Sequence, residues 1–226
     1  MHIIELHLKC GDLAAARAFY EGKLGLTILE ATADALTIQA GRSRLVLEHV
    51  PGWQGKYHFA FDVPENQIEQ AQAWVARRAP AAVMNDQTVF HSPGWNAHMT
   101  YFYDPAGNIL ECIARHNQPN ASDRPFDAES LLHISEIGLA TISVQPTVNL
   151  LCDTMGLEVY DGQDSDSFSA VGDENGLFIV PKQGRIWFPQ TGVPAELLPV
   201  QVKVLGKTAT RLSIPSHNYE FQMVTR

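Results

Sequence analysis

The residue of this chain most in need of a chemical explanation is Glu111. Ile109–Arg115 alternates so that Glu111 shares a strand face with Ile109 and Ile113, where an unpaired carboxylate is costly. Such a group wants a cation, a donor or a proton, and the plainer alternatives are an arginine partner or an exposed strand end. His58 poses a similar question: Tyr57–Val63 sets His58, Ala60 and Asp62 against Phe59, Phe61 and Val63. Glu5 shares a face with His7 and Lys9, and four strand residues span ~13 Å at ~3.3 Å each, too far for an easy Glu5–Lys9 pair. Glu48 follows Gly41 by the same seven residues that separate Asp104 from Glu111. Carboxylates and imidazoles in such positions hold divalent ions or move protons. Around them, His7, Trp53, Trp95 and Tyr101 are the expected pocket residues, while Glu48, His98 and Tyr103 are candidates for proton transfer. The run His91–His98, with two histidines and Trp95, is expected to be a loop that can close over a ligand.

Short strands must position these side chains. Ile3–Cys10 alternates strictly, Asp12 supplies an N-cap, and Leu13, Ala16, Tyr20 and Leu24 fall at helical spacing before Gly25. Strands follow near Leu26–Leu29, Ala35–Gln39 and Arg44–Val50, giving βαβββ over the first fifty residues. The unit then repeats: strand Tyr57–Val63, helix Glu65–Arg78, and strands at Ala82–Met84, Met99–Tyr103 and Ile109–Arg115, the last after the turn Asp104–Asn108. His116–Glu129 has hardly an apolar residue and marks a linker, so the chain divides into 1–116, a linker at 117–130, and 131–226. Beyond it come Ile134–Val144, a helix over Thr147–Met155, and strands at Phe168–Val171 and Leu177–Pro181. Leu24-Gly25-Leu26 plus 131 gives Met155-Gly156-Leu157, and Glu5 plus 131 gives Glu136. Strands at Val200–Leu205, Ala209–Ile214 and Tyr219–Val224 form a fourth unit without its helix. The fold class is α+β, about three and a half βαβββ modules in tandem, curled around a cleft.

Composition bounds the function. With 226 residues, 45% apolar and 18% charged, the chain is ordinary globular material with no stretch near the ~18 consecutive apolar residues of a membrane helix. Net charge is -9, and no Lys/Arg cluster offers a surface to nucleic acid. Three cysteines without a C-x-x-C pair suit a reducing compartment, and the polar start Met1–Cys10 lacks a signal pattern, so a cytoplasmic location is expected. The expected partner is a small molecule, with the protein a monomer or homodimer.

Several motifs resemble the vicinal oxygen chelate superfamily, which includes glyoxalase I, bleomycin-resistance proteins and extradiol dioxygenases. They are Gly11-Asp12-Leu13 through Phe19-Tyr20 to Leu24-Gly25-Leu26, then Tyr57-His58-Phe59-Ala60-Phe61, the hairpin Asp104-Pro105-Ala106-Gly107-Asn108-Ile109-Leu110-Glu111, and Glu136–Thr141, with Glu136 where the family usually has His. The resemblance implies a metal cleft between two modules, with Glu5, His58 and Glu111 at ligand positions and Glu48 as a further candidate. Glu5 departs from the usual His or Gln. The implied cofactor is a divalent ion, drawn from Mn, Fe, Zn, Ni or Mg, acting on a substrate with vicinal oxygens; a metal-free sequestering protein of the bleomycin-resistance type is the alternative. In residues 131–226 only Glu136 echoes a ligand, and Ile179 and Val180 end the hairpin equivalent to Glu111, so that half is expected to buttress the first or to supply a pocket lip at Gly184–Pro189.

Overall fold

The computed structural model describes residues 1–225, the side chains of 162–164 excepted. In chain order its strands are β1 (His2–Cys10), β2 (Thr27–Ala31), β3 (Ala35–Ala40), β4 (Ser43–His49), β5 (His58–Val63), β6 (Val89–Ser92), β7 (Ala97–Tyr103), β8 (Ile109–Arg115), β9 (His133–Gly138), β10 (Val159–Ser165), β11 (Phe168–Asp173), β12 (Gly176–Pro181), β13 (Val200–Leu205), β14 (Thr210–Ile214) and β15 (Tyr219–Val224). Helices α1 (Leu13–Arg17), α2 (Ile68–Ala76) and α3 (Val144–Met155) follow the first strands of the first three modules, and the fourth has none. Asp12 caps α1 by accepting from the Ala15 N–H at 2.9 Å, and a π-helical turn, Ala18–Lys23, extends it. No helix among the described residues is long and apolar enough to cross a membrane.

Two curled mixed sheets result. One runs β14-β15-β13-β1-β4-β3-β2 and the other β10-β11-β12-β9-β5-β8-β7-β6. Thus the first module pairs with the fourth and the second with the third, whereas the sequence had suggested a cleft shared by modules one and two. Burial explains the choice of partners. Strands β5 and β9 are buried on both faces, while β1 and β13 each keep one face at least partly open to solvent. Joining like with like keeps a sheet face uniformly dry or wet, through Phe59↔Ile137 in one case and Leu6↔Val202 in the other. A continuous apolar core then links both sheets and all three helices, including Leu6, Phe19, Phe59, Phe61, Trp74 and Val202.

The segment expected to be a loop at His91–His98 is instead the β6–β7 hairpin, with His91 opposite His98. Ala82–Met84 forms no strand of its own, making only isolated bridges through Ala81 and Met84. The turn before β8 is firmly set. Asp104 accepts from the N–H groups of Ala106 and Asn108 and from the buried Tyr20 hydroxyl at 2.9 Å, and the Asn108 side chain accepts from the Tyr57 N–H. Register between β5 and β8, and so the place of Glu111 opposite Ala60, follows from this anchor.

Candidate metal centre

Alternation in the second sheet sends Phe59, Phe61, Leu110 and Cys112 into the main core, and turns His58, Glu111 and Arg115 to the other face. Strand β9 adds Glu136 beside them. Its pairing to β5 shifts between Ala60↔Glu136 and Phe61↔Ile134, so Ser135 is skipped. This bulge lies next to the cluster, a common device for aiming a side chain. One ligand atom each from His58, Glu111 and Glu136 lies within 4.8 Å of the others, and all three residues are buried.

The local chemistry is specific. His58 Nδ1 donates to the Ile109 carbonyl at 3.1 Å, so its lone pair resides on Nε2, 3.5 Å from Glu111 Oε2. Burial lowers the His58 pKa to about 4, which keeps the ring neutral. Burial, reinforced by the nearby Glu136 charge, pushes Glu111 well above the usual carboxylate range against the pull of Arg115 and a hydrogen bond from Tyr101. Tyr101 lies directly across from Glu111 in the β7–β8 register. Glu136 is also raised by burial, opposed by the fully buried Arg115, whose Nη2 donates to its Oε1. Arg115 Nε is 4.0 Å from Asp62 Oδ1, and the rings of Trp95 and Tyr160 lie over the guanidinium at 5.5 and 5.8 Å.

A cavity of about 600 Å³ opens above the three donors, and its walls include Phe90, Met99, Phe168, Ile179 and Phe188. Trp187 covers the donors, its ring 4.7 Å from that of His58. It fits because Gly138 leaves room: a Cβ there would lie 2.5 Å from Trp187 Cη2. Register reveals a local twofold relation between the halves of this sheet. His58 corresponds to Glu136 and Glu111 to Ile179, since Ala60↔Glu111 matches Gly138↔Ile179. The fourth position is therefore apolar.

Of the residues expected from the sequence, the structure brings His58, Glu111, Tyr101 and Trp95 to this cavity. Glu5 lies in the other sheet, where it binds Arg44 at 2.7 Å and His7 at 3.0 Å, and Glu48 pairs there with Lys9 and His7. Both belong to strands with one wet face, which is why neither joins His58. Trp53 stacks on Tyr57, 6.1 Å away, and its indole donates to the Gly55 carbonyl. His98 points to the opposite face of its sheet, toward His116. Tyr103 packs beside the cavity's apolar cluster, outside the cavity lining. Residues 131–226 supply Glu136 and Ile179, and the segment expected as a pocket lip, Gly184–Pro189, supplies Trp187 and Phe188 to the cavity. The +131 echo of Glu5 had marked Glu136, whereas Arg115 gave no signal beyond its charge in an apolar strand.

Residues 2–112 match the model of the Glyoxalase/Bleomycin resistance protein/Dioxygenase superfamily. The fold is similar to that of a candidate dioxygenase from Bacillus subtilis subsp. subtilis str. 168, at a TM-score of 0.65 and 14% identity over 100% of this chain and 85% of that one. It is likewise similar to glyoxalase I from Zea mays, at a TM-score of 0.57 and 12% identity over 99% of this chain and 92% of the other. No curated protein matches the sequence. Over residues 2–112 this chain is thus similar to the glyoxalase, bleomycin-resistance and dioxygenase superfamily, and its whole length has the fold of the two solved structures.

Proposed function

We propose that this protein is a metal-dependent enzyme in which His58, Glu111 and Glu136 hold a divalent ion and act on a small substrate with vicinal oxygens. The observation that carries this reading is the convergence of an imidazole lone pair and two buried carboxylates beneath an apolar cavity. These donors fit a cation. The Ile109 carbonyl fixes the His58 tautomer, the usual device for presenting a ring nitrogen to a metal, and Arg115 pairs directly with only one of the two buried carboxylates, Glu136. Two oxygen donors and one nitrogen suit Mn(II), Fe(II) or Mg(II) better than an ion that prefers thiolate. When bound, the ion would supply Lewis-acid stabilisation of charge developing on adjacent substrate oxygens.

The chain's own residues divide the remaining work. Tyr101, through its hydrogen bond, orients Glu111; Arg115 orients Glu136 and offsets its charge. Trp187 excludes water, and its buried Nε1–H, which has no partner among the described residues, is a donor for a substrate oxygen. Phe90, Phe168 and Phe188 select a largely apolar substrate body. The third module takes the place of a second subunit, so the site is complete in a monomer. Whether the reaction is of lyase, isomerase or dioxygenase type is decided by assaying vicinal-oxygen substrates with ion-loaded protein. Turnover that falls at least about 100-fold in Glu111→Gln supports the reading, and turnover unchanged in that variant contradicts it.

One observation favours the second reading, a metal-free protein that sequesters an apolar ligand: Arg115 already neutralises Glu136. Ligand-induced thermal stabilisation that is indifferent to added ions would support it.

A further inference from the structure

A second group of donors lies along the β6–β7 edge of the same sheet, His98 and His116 on its reverse and His91 also at the rim of the cavity. His91 and His98 face each other across the β6–β7 hairpin, their rings stacked at 4.5 Å and 16°. His116 follows β8 directly and is fixed by its N–H, which donates to the Asn96 carbonyl at 2.9 Å. Its Nε2 lies 2.7 Å from His98 Nδ1, and its Nδ1 lies 3.2 Å from Glu65 Oε2 just ahead of α2. Because a carboxylate only accepts, His116 Nδ1 carries a proton, and in the neutral ring its Nε2 presents a lone pair to His98. A single proton therefore bridges two imidazoles, with a carboxylate orienting the outer one. That is the arrangement by which a carboxylate steers a metal-bound histidine, with a proton standing where the cation would be.

We propose that His98 and His116, with His91 as third donor, form a second binding site, distinct in its ligands from the His58 cluster, for an imidazole-preferring divalent cation such as Zn(II) or Ni(II). The adjustment it needs is small. Metal–nitrogen bonds of about 2.0–2.1 Å on a tetrahedral ion set two nitrogens roughly 3.3 Å apart, so the His98–His116 pair opens slightly. The bridging proton moves to His98 Nε2, keeping the ring neutral. His91 is exposed and turns its ring from stacking to coordination. Glu65 and water complete the surroundings. All-imidazole donors favour Zn(II), Ni(II) or Cu(II), in contrast to the oxygen-rich cluster at His58. The ion ties β6, β7, the end of β8 and the approach to α2 together. Phe90, Met99 and Tyr101 project from the other face of the same hairpin into the cavity, so this site stiffens the cavity wall.

The test is Zn(II) titration calorimetry on full-length Glu111→Gln protein, which removes the first cluster from the result. We expect one Zn(II) per chain, with affinity at least tenfold weaker in His98→Ala and in His116→Ala, about 10–100-fold weaker in Glu65→Gln, and unchanged in His49→Ala. Nitrogen NMR of the wild-type rings should show Zn(II) shifting His98 and His116. Affinity within twofold of the parent in both histidine variants, or ring nitrogens that do not move, would overturn the proposal. Neither outcome bears on the His58 cluster, which is read by Mn(II) in the wild type.

Discussion

At the residue scale, Arg115 governs the electrostatics of the centre. It is buried between Glu136 and Asp62, and truncating one member of a buried charge group leaves the others uncompensated. Arg115→Met is expected to cost about 3–5 kcal/mol in urea unfolding, far more than the Arg44→Met change at the exposed Glu5 pair. Asp62 gives a pH signature. Burial raises its pKa to about 7, against the lowering influence of Arg115, whereas in the unfolded chain it titrates near ~3.9. The folded state then binds the extra proton, so this group's stabilisation is complete at low pH and is lost as pH rises from ~4 to ~7. In metal-free protein, Asp62→Asn should flatten the fall in stability across that window by up to about 1.4 kcal/mol per pH unit, read from urea curves at several pH values. The alternation of β8 made Glu111 legible in the sequence. Glu5, at the equivalent position of its own module, was misleading because one strand's pattern does not reveal whether its polar face meets water or another module.

At the scale of elements, strands and helices were legible because period-2 and period-3.6 patterns are local, as in β5, β8 and α3. Strand β6 and the turn into β7 were not, although most of β7 was expected at Met99–Tyr103, since Ser92-Pro93-Gly94 and two histidines carry loop chemistry. Close packing of β9 against the Trp187 segment was also hidden: it depends on Gly138 lacking a side chain. A Cβ at this position would approach Trp187 Cζ2 to 2.9 Å and the His58 carbonyl to 3.3 Å. Gly138→Ala should therefore drive Trp187 off His58, red-shift its fluorescence and weaken apolar ligand binding about tenfold, while the far-UV spectrum stays native. Unchanged emission and affinity would show that Trp187 does not cover the centre.

At the scale of the whole molecule, tandem modules were visible from repeats, but their pairing was not, because it depends on which strand faces become dry after assembly. The second and third modules build the candidate centre, and the first and fourth build a sheet with a polar outer face. Contact between the sheets is specific: Gly41, at φ 54°, brings the β3–β4 turn so near Leu132 that a Cβ would lie 2.0 Å from its carbonyl oxygen, and the Arg42 N–H donates to that oxygen at 2.8 Å. The central claim is that donors from both halves of the chain, His58, Glu111 and Glu136, hold one hard divalent ion. Mn(II) binding followed by electron paramagnetic resonance in wild type, Glu111→Ala, Glu136→Ala and Glu5→Ala tests it most directly. The account predicts one tightly held Mn(II) in wild type and Glu5→Ala, and its loss in Glu111→Ala and Glu136→Ala. Mn(II) retained without Glu136, lost without Glu5, or never bound by the wild type would contradict it.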